Sequence, residues 1–207
     1  MNRRFFIKGL LISLIPNIIF ANKKGEKTMK KALILIDFQN DYFEGGAMEL
    51  KNISNALDNA NILIQKAKKE CLNIYIVKHI STRKGATFFL PNSEGVKLHK
   101  DLNTKDTTII TKHFPNSFRE TKLHNILQKS DIKELIICGA MTHMCIDSTV
   151  RAGFDLGYKI TLVQDACATK DLTFRNKTIK AKKVHNSFIS ALGSVFCQVK
   201  DTKDIII

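Results

Sequence analysis

Six short apolar or β-branched runs constrain this chain of 207 residues more than any other feature. Ala32–Ile36, Asn73–Val77, Thr107–Thr111, Glu134–Cys138, Lys159–Val163 and Ser194–Val199 read as strands: each is short, rich in strand-forming residues and bounded by polar or turn residues. Between them, Ile53–Cys71 carries apolar residues at 53, 56, 57, 60, 63, 64 and 67, which is the helical period. Helices are also predicted over Phe118–Gln128, Cys145–Leu156 and Asn176–Leu192. Strands that alternate with helices pack as a parallel sheet covered on both faces. The expected fold is therefore α/β, a Rossmann-like three-layer sandwich around a six-stranded parallel sheet. One connection, Lys78–Asp106, is long and holds Gly85, Pro91 and Gly95. A connection of that length is usually functional or carries short helices.

Open α/β sheets bind ligands beyond the carboxyl ends of their strands, where strand order reverses. Three reactive residues are expected at that edge. Asp37 ends the first strand, Lys112 follows the third, and Cys145 follows the fourth. Gly139 breaks the fourth apolar run and Thr142 suits a helix N-cap, which would put Cys145 at the first turn of a helix. A helix N-terminus favours a thiolate and can hold an oxyanion. The expectation is a low-pKa Cys145 nucleophile, with Lys112 stabilising the thiolate and Asp37 moving the proton. The reaction class is acyl transfer to the thiol followed by hydrolysis. Asp37-Phe38-Gln39-Asn40-Asp41 stands where a nucleotide-binding fold would carry its glycine fingerprint, which argues against a nucleotide.

The net charge of +14 comes largely from scattered lysines, with no Arg-rich or aromatic-interleaved block, so no nucleic-acid partner is expected. The five cysteines show no zinc spacing, and Cys71, Cys138, Cys167 and Cys197 read as core residues. Residues 1–21 combine a basic start, an apolar run from Leu10 to Phe20 and Ala21, the pattern of a secretory signal. The run is too short and interrupted for a stable membrane span. Arg3-Arg4-Phe5-Phe6-Ile7-Lys8 resembles the bacterial twin-arginine motif, which implies export to the periplasm. Residues 22–30 read as a polar linker and 31–207 as the domain. Met29 offers an alternative start, which would leave the protein cytoplasmic.

Three ordered motifs carry a family resemblance. Leu35-Ile36-Asp37-Phe38-Gln39-Asn40-Asp41-Tyr42-Phe43, Lys112-His113-Phe114-Pro115-Asn116-Ser117-Phe118 and Gly139-Ala140-Met141-Thr142-His143-Met144-Cys145 resemble the motifs of the isochorismatase-like cysteine hydrolases. The resemblance implies an Asp37, Lys112, Cys145 triad. It also implies a cis peptide at Ala140–Met141 and an oxyanion hole from the Met141 and Cys145 N–H groups. Amide-type C–N bonds of small molecules are the implied substrates, in a homo-oligomer. Nicotinamidases carry an Asp-x-His metal pair; this chain has none, so no metal and no cofactor are expected. The segment from Lys78 to His99 resembles its counterpart in streptothricin hydrolases. Gln39, Tyr42, His79, Phe88, Phe114, Phe118 and His143 are the expected pocket residues. The residues themselves also leave open a binding protein that kept the fold, or a redox-active thiol protein.

Overall fold

The apolar runs become the strands of one sheet in a computed structural model that describes residues 30–207. The signal segment, its twin-arginine motif and the alternative start at Met29 lie outside the described residues. The strands are β1 (Lys30–Ile36), β2 (Asn73–His79), β3 (Thr108–Lys112), β4 (Ile132–Ala140), β5 (Lys159–Ala168) and β8 (Gln198–Lys200). Their order is β3-β2-β1-β4-β5-β8, and every pair is parallel. The helices α1 (Ile53–Lys69), α2 (Leu123–Lys129), α3 (Asp147–Asp155) and α4 (Ala181–Val195) complete a three-layer sandwich. Residues 32–36 of β1 are entirely buried, as a strand covered on both faces must be, and this explains their uninterrupted apolar sequence. The α1 stripe, Ile53, Ala56, Leu57, Ala60, Leu63, Ile64 and Ala67, is buried to a residue.

Several boundaries differ from expectation, each for a local reason. The helix expected from Phe118 begins only at Leu123, because Glu120 takes a left-handed conformation (φ 55°) that a right-handed helix cannot contain. Residues 172–179 form a hairpin, β6 (Leu172–Phe174) and β7 (Lys177–Ile179), where a helix was expected from Asn176. Arg175 and Asn176 both have positive φ, 47° and 60°, as a two-residue turn matched to strand twist requires. The helix starts after it, at Ala181, whose N–H is accepted by Asp171 Oδ1 at 2.7 Å. It runs through Ser194 and Val195, so the last strand shrinks to three residues. Cys71 is exposed and left-handed (φ 54°) in the turn after α1, not in the core. The long connection after β2 forms neither helix nor strand; it is a series of turns.

Strand order reverses between β1 and β4, the central pair. Gly139 lets them meet closely there: its φ is 127°, and a Cβ would lie 2.1 Å from the Ile36 carbonyl oxygen. The end of β4 is thereby brought against the end of β1, where Asp37 follows.

Candidate active site

Three strand ends deliver the reactive groups. Asp37 leaves β1 in a left-handed conformation (φ 58°), one that Asp tolerates better than most residues. Lys112 is the last residue of β3 rather than the first beyond it, and pairs in register with His79 at the end of β2. Cys145 follows β4 within a π-helical turn, Thr142–Ile146, that precedes α3. It is not at the first turn of an α-helix, and Thr142 does not cap one. The Thr142 hydroxyl lies 3.2 Å from the Ala168 carbonyl and 3.0 Å from His185 Nδ1. The Ala140–Met141 peptide just before this turn is cis.

The Lys112 ammonium is the hub. Its Nζ lies 2.9 Å from Asp37 Oδ2, 3.1 Å from Cys145 Sγ and 2.9 Å from His79 Nδ1. The side chains of Asp37 and Lys112 are wholly buried, and Cys145 is 5 % exposed. The Asp37–Lys112 contact is ionic: neither carboxylate oxygen has an aligned hydrogen bond among the described residues. Burial raises the pKa of Asp37, against the opposing charge of Lys112. Burial would lower Lys112, but Asp37 and Cys145 together carry it above its ordinary value. Burial, with the Asp37 charge beside it, pushes the Cys145 thiol up to about 12, and Lys112 only partly offsets this. The expected low-pKa thiolate is therefore corrected. In a dry site beside a carboxylate the resting sulfur is a thiol, and it needs a base.

Asp37, His79 and Cys145 offer ligand atoms within 4.8 Å of one another, a spacing a metal ion could use. Lys112 Nζ touches all three, so the cationic place among these donors is taken by an ammonium group. The donor set does not fit a metal ion while Lys112 stands there.

The expected pocket residues divide. Tyr42 is buried with its ring 4.5 Å from that of Phe89 and 5.9 Å from that of half-buried Phe88. Phe114 carries the Arg119 guanidinium over its face at 3.6 Å. His143, half-buried two residues before Cys145, bonds through Nδ1 to Thr169 Oγ1 and meets the Phe188 ring edge-on. Gln39 lines nothing: it is fully buried and spends its amide on the backbone of His79 and Val96. Phe118 is elsewhere, stacked on Tyr158, which precedes β5 at the opposite edge of the sheet. The late start of α2 sends it there. Two features went unread in the sequence. Asp41 accepts the backbone N–H of Phe89 and of Ala47, and so anchors the long connection. His79, read only as a pocket residue, touches Lys112 directly. The spacing of Asp41 from Asp37 was visible, but nothing in it says which carboxylate would be saturated.

Comparisons with known proteins agree with this architecture. The sequence profile described as the isochorismatase domain matches residues 31–191. An uncharacterized isochorismatase family protein of Bacillus subtilis is 43% identical, over 84% of this chain and 98% of that protein. The crystal structure of a candidate isochorismatase hydrolase from Oleispira antarctica superposes with a TM-score of 0.81. It is 41% identical and covers 86% of this chain and 96% of that one. Streptothricin hydrolase of Streptomyces noursei is 28% identical over 69% of this chain but only 51% of its own length.

Proposed function

The chain belongs to the isochorismatase family, and from that premise we propose that it is a cysteine hydrolase cleaving an amide-type C–N bond of a small molecule. The observation that carries this reading is the placement of one ammonium, Lys112 Nζ, against both a buried carboxylate and a buried thiol. Cys145 Sγ attacks the substrate carbonyl carbon while its proton passes to Asp37. The raised pKa of Asp37 suits it to that task. Lys112 stabilises the sulfur as negative charge develops on it. The N–H groups of Met141 and Cys145 are proposed to hold the tetrahedral oxyanion. Protonated Asp37 then gives its proton to the leaving nitrogen, the C–N bond breaks, and a thioester remains. Water, giving a proton to Asp37, attacks the thioester; the acid product leaves and the thiol re-forms.

We also propose the narrower kinship with streptothricin hydrolases; its support is the resemblance of the segment from Lys78 to His99. Export rests on the twin-arginine-like Arg3-Arg4-Phe5-Phe6-Ile7-Lys8, and fractionation of cells making the tagged full chain tests it. Among the described residues no helix is long and apolar enough to cross a membrane. A homo-oligomer is also proposed, in line with exposed Phe174 and Ile179 on the β6–β7 hairpin, and sedimentation tests it.

The central test is a screen of small carboxamides, ureido compounds and lactams with the full chain, following release of ammonia or amine. Turnover of at least one class, abolished in Cys145→Ala with the circular dichroism spectrum unchanged, is the expected outcome. Trapping of an acyl group on Cys145 by mass spectrometry would identify the intermediate. Turnover that survives Cys145→Ala would rule the mechanism out.

A further inference from the structure

The mechanism uses Asp37, Lys112 and Cys145, but the Lys112 ammonium has a third partner. A lysine ammonium has three N–H donors and no acceptor. Around Nζ, Asp37 Oδ2 at 2.9 Å is an ion-pair partner, while Cys145 Sγ at 3.1 Å and His79 Nδ1 at 2.9 Å stand at hydrogen-bond positions. Because lysine can only donate, the His79 atom facing it must present a lone pair. Its ring proton then sits on Nε2, since an imidazolium would turn an N–H against the ammonium.

His79 is itself held on several sides. As the last residue of β2 it is register partner to Lys112 at the end of β3, so the parallel pairing sets the two side by side. The Gln39 amide grips its backbone twice: Oε1 accepts the His79 N–H at 2.7 Å, and Nε2 donates to the His79 carbonyl at 2.8 Å. The same Nε2 donates to the Val96 carbonyl at 2.8 Å, tying β2 to the long connection. The Phe89 ring flanks the imidazole, 5.9 Å between centroids.

We propose that His79 is a positioning residue of this site: its neutral imidazole takes an N–H of Lys112 and holds Nζ between Asp37 and Cys145, while Gln39 fixes the backbone that carries it. The role rests on the cysteine-hydrolase reading only for its catalytic consequence; the tautomer and the contact stand apart from it. The charge state agrees with the geometry. Burial, then the charges of Lys112 and His113, lower the His79 pKa to about 3. Without the acceptor, a buried N–H would be left unsatisfied and the ammonium would be free to turn from the sulfur.

Two readouts test this. Long-range proton–nitrogen spectra of the full chain, labelled with nitrogen-15 histidine, report tautomer and titration. The expected result is a His79 ring protonated at Nε2 that does not titrate near 6.5 and whose Nδ1 signal moves in Lys112→Met. A His79 that titrates normally, or carries its proton on Nδ1, would overturn the proposal, whatever the enzyme does. The second readout is the rate of iodoacetamide modification of Cys145 between pH 7 and 9. His79→Phe keeps the ring bulk and removes the acceptor. It should slow modification about tenfold across that range, as a rise of one pKa unit at sulfur would. His79→Asn, with its side-chain oxygen near the place of Nδ1, should restore most of the rate. Equal rates in the wild type, Phe and Asn variants would reduce His79 to packing. If no amide is ever cleaved, the hydrolase reading fails while both readouts still judge His79.

Discussion

Asp37 and Asp41 lie four residues apart in one motif, and both are buried, yet their surroundings are opposite. At the Asp41 end, the carboxylate accepts the backbone N–H groups of Phe89 and Ala47 and fills the space beside Gly95, where a Cβ would lie 2.0 Å from Oδ1. At the Asp37 end, neither oxygen has an aligned hydrogen-bond donor among the described residues, and the counter-charge beside it is Lys112. A carboxylate saturated by backbone N–H groups is a fixture that holds two chain segments together. A carboxylate left short of donors, beside a thiol, is free to receive a proton. The contrast separates architecture from chemistry within five residues.

Asp37→Asn gives the largest expected effect. It keeps the volume but removes the proton acceptor, so turnover of a substrate found in the screen should fall about 10²–10⁴-fold. It also leaves Lys112 buried without its counter-charge, at a cost of about 3–5 kcal/mol, measurable by denaturant unfolding. Adding Lys112→Met should recover most of that stability and none of the activity. A double variant as unstable as Asp37→Asn alone would show that the pair is not the source of the loss. Gly95→Ala probes the other end. Its methyl group meets the Asp41 carboxylate, and stability should drop by about 1–3 kcal/mol with the chemistry of Cys145 unaltered. Asp41→Asn is the mildest. The amide oxygen can still accept one backbone N–H, so the expected loss is about 1 kcal/mol. The pH dependence of Cys145 modification should match the wild type. If Asp41→Asn moved that profile as far as Asp37→Asn does, the division between the two carboxylates would collapse.

The same motif shows how much could be read beforehand. The strand pattern and the parallel sheet were legible because strands buried on both faces must be apolar throughout, as 32–36 are. The convergence of Asp37, Lys112 and Cys145 on one sheet edge followed from the same pattern, since parallel strands send their carboxyl ends to one side. The late start of α2 and the β6–β7 hairpin were not legible. They hang on positive φ at Glu120, Arg175 and Asn176, and residue type only weakly announces that conformation. Phe118 left the expected pocket for that reason.

What the sequence by itself determined was periodicity and placement in order: which stretches are strands, which sheet edge collects the reactive residues, and which family the chain resembles. Tertiary structure alone decided the states of those residues. The Cys145 thiol is driven up rather than down because the closed site removes water and puts Asp37 beside it, outweighing Lys112. His79 and Gln39 enter because β2 and β3 pair in register and the long connection folds back over β1. Proton affinity and hydrogen-bond partnership depend on distances between groups far apart in the chain. Those distances exist only once the sheet is assembled.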